Sequence, residues 1–409
     1  MAASGTVLAA NEGRNAAGRV LALDALRGVA VAGIVPMNVI AFSMPAAAYV
    51  NPGAYGGTSG LDAALWALSF VFVEDKFRAL FAMLFGAGVA ILLSRDTPRP
   101  LTSHYARMAA LMLIAMLHAV LLANNDVLRS YAIAGVVLPL VVRWPVRWLL
   151  WAAGAIMAAQ LAVSLWFAWP WLQVWWEGTN RDALAQANGA FGPDPQVIAA
   201  SIAQWQESFG DRVARRMTDI PLQLRATLSA LPSGGAAMLI GIALWRSGLL
   251  AGEWEKASAF RLARNCAVVT LPVLVAMAIW GWASGFSPIV TAANALVLSA
   301  PFDLLLGLGY AALAMALFGG AWRGGKWTTR WAAAGRMALT NYLATSLIFA
   351  GLFAAWGLGL FGTVSRTQAL ALGLIPMAAM LVWSPLWLAR FRQGPAECAW
   401  RPCPAWSCR

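Results

Sequence analysis

A few ionisable residues stand inside strongly apolar text, and they are the ones able to do chemistry. His118 lies in LMLIAMLHAVLLANNDVLRSYAIAG, followed by Asn124, Asn125, Asp126 and Arg129. A neutral imidazole can take a proton near physiological pH. A carboxylate beside it can fix its orientation, which is the logic of a catalytic dyad. The turn between the flanking apolar runs is short, so the two helices are neighbours and His118 can approach Asp126. The pair would then act as a general base. The same residues also support a structural reading. There, His118 is a buried histidine bonded to a backbone carbonyl, and Asp126 pairs with Arg129 at i,i+3.

The other costly groups form small sets. Asp24 and Arg27, in LALDALRGVAVAG, share one helix face at i,i+3. They read either as a structural ion pair or as a site for an anionic, phosphate-bearing ligand. Glu74 and Asp75, in FVEDKFRALFAMLFGAG, suit a solvated helix start. Lys76 and Arg78 lie just inside it, where long side chains either snorkel to water or serve a buried site. Arg336 precedes Asn341 and Tyr342 in AAAGRMALTNYLATSL. Asn341 reads as a cross-helix hydrogen bond. Asn38, beside Pro36, reads as another cross-helix bond. Asp303 has no obvious partner, and His104 is expected to be exposed in a basic loop. Groups of this kind are expensive within a membrane and persist when paired or functional. No P-loop, H-E-x-x-H helix or paired C-x-x-C is present, so neither ATP-driven pumping nor a bound metal is expected.

The elements that must position these groups are membrane helices. Of 409 residues, 61% are hydrophobic and only 11% are charged, whereas soluble globular chains carry about 25% charged residues. A soluble enzyme and a disordered chain are both excluded. The net charge of +12 is spread in small groups between apolar runs, the pattern that sets orientation in a bilayer rather than nucleic-acid binding. The expected fold is an all-α polytopic transmembrane bundle of about ten spans, near 21–43, 76–94, 106–123, 127–142, 148–169, 226–245, 264–283, 301–321, 332–355 and 367–389. The stretch 61–73 is too short to cross and is expected at the interface or as an extension of the second span.

Placing Arg14 and Arg19 inside puts Arg95, Arg99, Arg107, Arg143, Arg147, Arg246, Lys256, Arg323, Lys326 and Arg390 inside as well, while loops 44–60 and 284–300 hold no Lys or Arg. Both termini are therefore expected in the cytoplasm. The start, MAASGTVLAANEGRNAAGR, has no apolar core before its arginines and is expected to precede a retained helix. Four regions follow: a five-span half at 1–169, an extracytoplasmic polar loop at 170–225, a second five-span half at 226–393, and a cytoplasmic tail at 394–409. Within the loop, 196–219 reads as helical, either capping the outer face or linking the halves. Cys266, Cys398, Cys403 and Cys408 are expected as free thiols.

Several stretches carry a family resemblance: LDALRGVAVAGIVPMNV at 23–39, DKFRALFAMLFGAG at 75–88, LHAVLLANNDVLRSYAIAG at 117–135, MLIGIALWRSG at 238–248, GRMALTNYLATSL at 335–347 and GPAECAWR at 394–401. In order and spacing they resemble the YeiB-type bacterial membrane proteins, the family of domain of unknown function 418. That family is grouped by distant similarity with membrane acyltransferases, including the acyltransferase type 3 proteins. The resemblance implies transfer of an acyl group from a cytosolic coenzyme A thioester to an extracytoplasmic or lipid-linked acceptor, in the bacterial inner membrane. Acyl-coenzyme A would be a substrate, and no bound cofactor is implied. In the type 3 proteins the span resembling L-D-x-L-R-G ends in a histidine, whereas here it ends in Asn38. The base then falls to His118, oriented by Asp126. Asp24, Arg27 and Arg336 would receive the donor, and Lys76, Arg78 and Asn341 would complete the site. The expected partners are the bilayer and a small-molecule or lipid acceptor. The alternative is a permease for a small or lipidic solute, or a membrane protein without catalysis.

Overall fold

Long apolar runs without turn residues leave the backbone one way to satisfy its polar groups away from water, which is the helix. The computed structural model describes residues 2–94, 98–123, 126–178 and 180–400, with side chains from residue 21 onward. The side chains of Arg14 and Arg19, and all of Arg95, Asn124, Asn125, Arg401, Arg409, Cys403 and Cys408, lie outside that description.

In chain order the helices are α1 (Ala2–Ser43), α2 (Ala47–Val50), α3 (Gly60–Phe72), α4 (Lys76–Leu93), α5 (Pro100–Leu121), α6 (Val127–Val141), α7 (Val146–Glu177), α8 (Arg181–Phe191), α9 (Pro195–Trp205), α10 (Phe209–Thr218), α11 (Ile220–Ser229), α12 (Leu231–Arg246), α13 (Lys256–Ala283) and α14 (Pro288–Ala293). A π-helical turn (Asn294–Leu298) then leads into α15 (Ala300–Phe318), α16 (Lys326–Arg336), α17 (Ala338–Phe353), α18 (Arg366–Leu388) and α19 (Pro395–Trp400). No strand occurs among the described residues. Where the apolar text stops, polar side chains cap the next helix. Asn180, Asp194 and Ser208 accept backbone N–H groups at the starts of α8, α9 and α10. Ser365 and Gln368 form a capping box on α18.

Seven segments among the described residues are long and apolar enough to cross a bilayer: Leu21–Ser43, Gly60–Leu93, Pro100–Leu121, Val146–Glu177, Lys256–Ala283, Ala300–Phe318 and Arg366–Leu388. The pair α11 and α12, bent by 47°, makes an eighth. The chain is a multi-pass membrane protein. Its outward faces agree, since Trp166 on α7 is 79% exposed and Leu140 on α6 is 72% exposed. The expected fourth and ninth spans are shorter apolar helices, α6 with 15 residues and α17 with 16. The stretch 61–73 is α3, and it runs on through a break at 73–75 into α4, so it extends the second span.

Two helix crossings bring backbones into direct contact. On α4 and α12, a Cβ at Gly86 would overlap the Met238 carbonyl, and one at Gly241 would overlap the Met83 carbonyl. On α1 and α16, Gly28 faces the Trp331 carbonyl and Gly335 faces the Asp24 carbonyl in the same way. Small residues at such crossings are how helices associate in lipid, where no hydrophobic force separates helix from solvent. One buried core joins residues of α1, α4 to α7, α12 and α15 to α17. The bundle has two ends. At one, α1 near Asp24 meets α16 near Gly335, and Trp400 donates to the Arg107 carbonyl. At the other, the Gly362 N–H donates to the Ser43 carbonyl, Arg366 to the Ala48 carbonyl, and Asn51 to the Phe191 and Phe286 carbonyls.

Two expectations fail here. His104 is fully buried, because α5 begins at Pro100 and turns the ring toward α6, where its Nε2 lies 2.8 Å from the Gly135 carbonyl. Cys398 is disulfide-bonded rather than a free thiol, while Cys266 is free and buried.

Candidate functional site

The site begins at the break between α3 and α4. Asp75 adopts the left-handed backbone region, φ 58°, which Asp tolerates better than most residues. The break redirects the Glu74 N–H to the Ser69 carbonyl, so the Phe70 carbonyl loses its helical donor. Lys76 Nζ fills that role and donates to Phe70. The same ammonium pairs with Asp303 of α15 at 2.6 Å, with side chains 0% and 3% exposed. Ser299 donates to the other Asp303 oxygen at 2.7 Å. Asp303, without an obvious partner in the sequence, is thus the counter-ion of Lys76. Arg78, on the next part of the turn, pairs with Asp75 at 2.6 Å and stays partly exposed.

A second polar group sits at the junction of α5 and α6. Asp126 caps α6, accepting from the Leu128 N–H at 2.9 Å. Its same oxygen accepts from the Tyr342 hydroxyl of α17 at 3.2 Å. The other oxygen lies 3.4 Å from His118 Nδ1, and both side chains are buried. Tyr342 packs on His118 with ring centroids 5.3 Å apart. His118 and Asp126 are therefore neighbours, as the short turn implied. Arg129, also buried, donates to Gln223 of α11 at 2.9 Å.

Helices α9 to α11 close over this region. Gln223 donates to the Arg216 carbonyl, and Arg216 reaches the Val120 carbonyl at the end of α5. Arg212 lies 4.7 Å over the Trp205 ring and donates to the Trp205 carbonyl. Burial, then Arg212 and Arg215 beside it, push the Arg216 guanidinium down to about 10. Trp205 stacks on Phe361 at 4.6 Å. The segment is a packed cap, not an extended linker.

Two cavities meet at α6. One, about 510 Å³, is lined by Asp75, Arg78, Asp126, Arg129, Asp219 and Asp303 among others. The second, about 610 Å³, lies toward the end where Trp400 meets Arg107 and is lined by Asp24, Arg27, Arg107, Glu253, Arg336 and Glu397 among apolar neighbours. Tyr131 borders both, and its hydroxyl donates to the Arg78 carbonyl. Both fall in the size range of small-molecule sites.

The sequence candidates thus divide. Asp126 and Arg78 line the first cavity, and Asp24, Arg27 and Arg336 line the second. Asp24 and Arg27 pair at 2.8 Å. His118 stands behind Asp126, and Lys76 behind Asp303. Asn341 is engaged elsewhere, donating to the Ala334 carbonyl and Ser384 and accepting from the Trp383 indole. Sequence reasoning missed Tyr131, Gln223, Tyr342 and Glu397 as site neighbours. Glu397 accepts from the Leu339 and Thr340 N–H groups and so caps the start of α17 from the chain's C-terminal region. Only position after folding reveals that role. Among the described residues no cluster of His, Cys, Asp or Glu could hold a metal ion.

Residues 244–406 match the family model described as Protein of unknown function (DUF418). The chain is 34% identical over 395 residues to Uncharacterized protein YeiB of Escherichia coli (strain K12), covering 94% of this chain and 95% of that protein. It is 27% identical over 402 residues to Uncharacterized protein YxaH of Bacillus subtilis (strain 168), covering 94% and 93%. No solved structure matches. A near full-length likeness of this degree, with the family model on the C-terminal helices, places the chain in the DUF418 family of YeiB-type membrane proteins.

Proposed function

We propose that the chain is an acyltransferase of the bacterial inner membrane, with about ten crossings and both termini in the cytoplasm. The observation that supports this reading is the pair of cavities placed back to back across Tyr131. The cavity of Asp24, Arg27 and Arg336 would face the cytosol and receive an acyl-coenzyme A, its guanidinium groups suited to the donor phosphates. The cavity of Asp126 would receive the acceptor. The acceptor oxygen or nitrogen attacks the thioester carbonyl and its proton passes to Asp126, with His118 behind it. The carbon–sulfur bond then breaks, and the thiolate leaves and takes up a proton. Asp126 borders the cavity and His118 does not, so in this reading the base moves from His118 to Asp126, whose carboxylate must turn out of its buried position to reach the acceptor, and His118 and Tyr342 are positioning residues.

The test is transfer of labelled acetyl groups from acetyl-coenzyme A into a lipid or soluble acceptor pool by the reconstituted protein. Asp126→Asn should lower transfer by about 100-fold or more, the scale of general-base catalysis, and His118→Ala by a similar factor. Both variants should still enter the membrane. Full transfer by Asp126→Asn would sink the assignment.

A second reading has its own support. The 47° bend between α11 and α12 and the π-helical turn before α15 both border the Asp126 cavity. Broken helices at a polar mid-membrane site are a mark of transporters. Solute flux in proteoliposomes without thioester consumption would favour that reading.

A further inference from the structure

The Asp126 cavity is not walled off from the membrane. A third space of about 780 Å³ runs along the outside of α7, bordered by Ile156, Val163, Phe167, Leu172, Ile289 and Val297. Gln160, Ser229 and Leu296 border both this groove and the charged cavity, so the two adjoin. Phe167 is 74% exposed in the groove. On a membrane helix that exposure faces hydrocarbon, so acyl chains are what the groove meets. Gln160 marks the junction, and its Oε1 is buried without a hydrogen-bond partner. A buried acceptor left that way is costly and calls for a donor.

The charges beyond the junction select the headgroup. Arg78 and Arg129 supply guanidinium groups, the chemistry that binds phosphate. Four carboxylates face them, from Asp75, Asp126, Asp219 and Asp303. Lys76 balances Asp303 and Arg78 pairs with Asp75. Asp219 lies 3.5 Å from Arg215 and is partly exposed. Counting Lys76 and Arg215, four cations match the four carboxylates, so the cavity presents both signs and no net charge. A headgroup with a phosphate next to a primary ammonium meets both demands. We propose that groove and cavity together bind one amine-bearing, zwitterionic phospholipid from the bilayer. Its chains lie along α7, its phosphate faces Arg78, and its ammonium faces the partly exposed Asp219. As the acceptor of an acyl group this lipid rests on the proposed function, whereas its binding does not.

The experiment is native mass spectrometry of the full chain in detergent, after exchange with mixed phosphatidylethanolamine, phosphatidylcholine and phosphatidylglycerol. One phosphatidylethanolamine should be retained per chain, with at least tenfold preference over the other two. Ala159, exposed on the groove, offers a place to fill it. Ala159→Trp should lower retention at least tenfold with the elution volume and unfolding temperature unchanged, and Gln160→Leu should act in the same direction. Asp219→Asn should abolish the preference for the primary amine over the quaternary one. Equal retention of the three headgroups would overturn the headgroup assignment, and undiminished retention in both groove variants would overturn the groove. Since no thioester is present, retained lipid without acyl transfer sinks only the enzyme reading. Transfer with no retained lipid sinks only this inference.

Discussion

Lys76 and Asp303 offer a sharp test of the interior, because their ammonium and carboxylate lie 2.6 Å apart with almost no exposure. At an effective dielectric of about 20, two unit charges at that distance attract by roughly 6 kcal/mol. Taking each ion out of water costs several kcal/mol, so the pair as a whole comes close to balance. The single variants do not. Lys76→Met leaves Asp303 with only Ser299 as donor and should cost about 3–5 kcal/mol. Asp303→Leu strands the ammonium on the Phe70 carbonyl and should cost a similar amount. The double variant Lys76→Met with Asp303→Leu removes both charges and should lie within about 1 kcal/mol of the parent, or above it. The assay is unfolding in mixed micelles followed by tryptophan fluorescence, across all four proteins of the cycle. Singles costing under about 1 kcal/mol each, with a double that adds them, would refute the buried pair. They would return Lys76 to the list of groups free to touch a ligand.

Other expectations follow from the same contacts. Gly241→Ala and Gly335→Ala each place a methyl group on a facing carbonyl and should destabilise by about 1–3 kcal/mol, the scale of overpacking, in the same unfolding assay. Arg216→Met should leave stability at neutral pH equal or higher, since burial holds the native guanidinium near 10, below its ordinary value. A cation with a depressed native pKa costs stability fully below pH 10. The cost fades as pH rises above 10 toward the ordinary arginine value, so the advantage of the variant should shrink over that window in unfolding titrations.

Much of the architecture was legible from the sequence, for a physical reason. Apolar runs near 20 residues fix where helices form, and Lys and Arg in the short loops outline the ends. The short interval between the apolar runs of α5 and α6 already implies that His118 lies beside Asp126. What could not be read were partners far apart in the chain. Lys76 and Asp303 are separated by the whole polar segment, and nothing local marks them as a pair. Asn341 looked like a site residue because amides are rare in spans, but the Trp383 indole and Ser384 occupy it. His104 looked exposed because its neighbours are basic, while its burial depends on the turn at Arg99 and on the facing Gly135. The role of 195–229 was half visible. Its caps announce helices, but the clasp between Arg129 and Gln223 exists only once α6 and α11 have met.

The two glycine crossings carry a consequence for the whole family. At Gly28, Gly86, Gly241 and Gly335 no side chain of any kind fits while the helices keep their spacing. Any descendant that keeps the scaffold must keep hydrogen atoms there, whatever reaction it performs or has abandoned. Invariance at these four places will therefore track architecture, and a lineage that has lost its chemistry should still preserve them while Asp126 drifts.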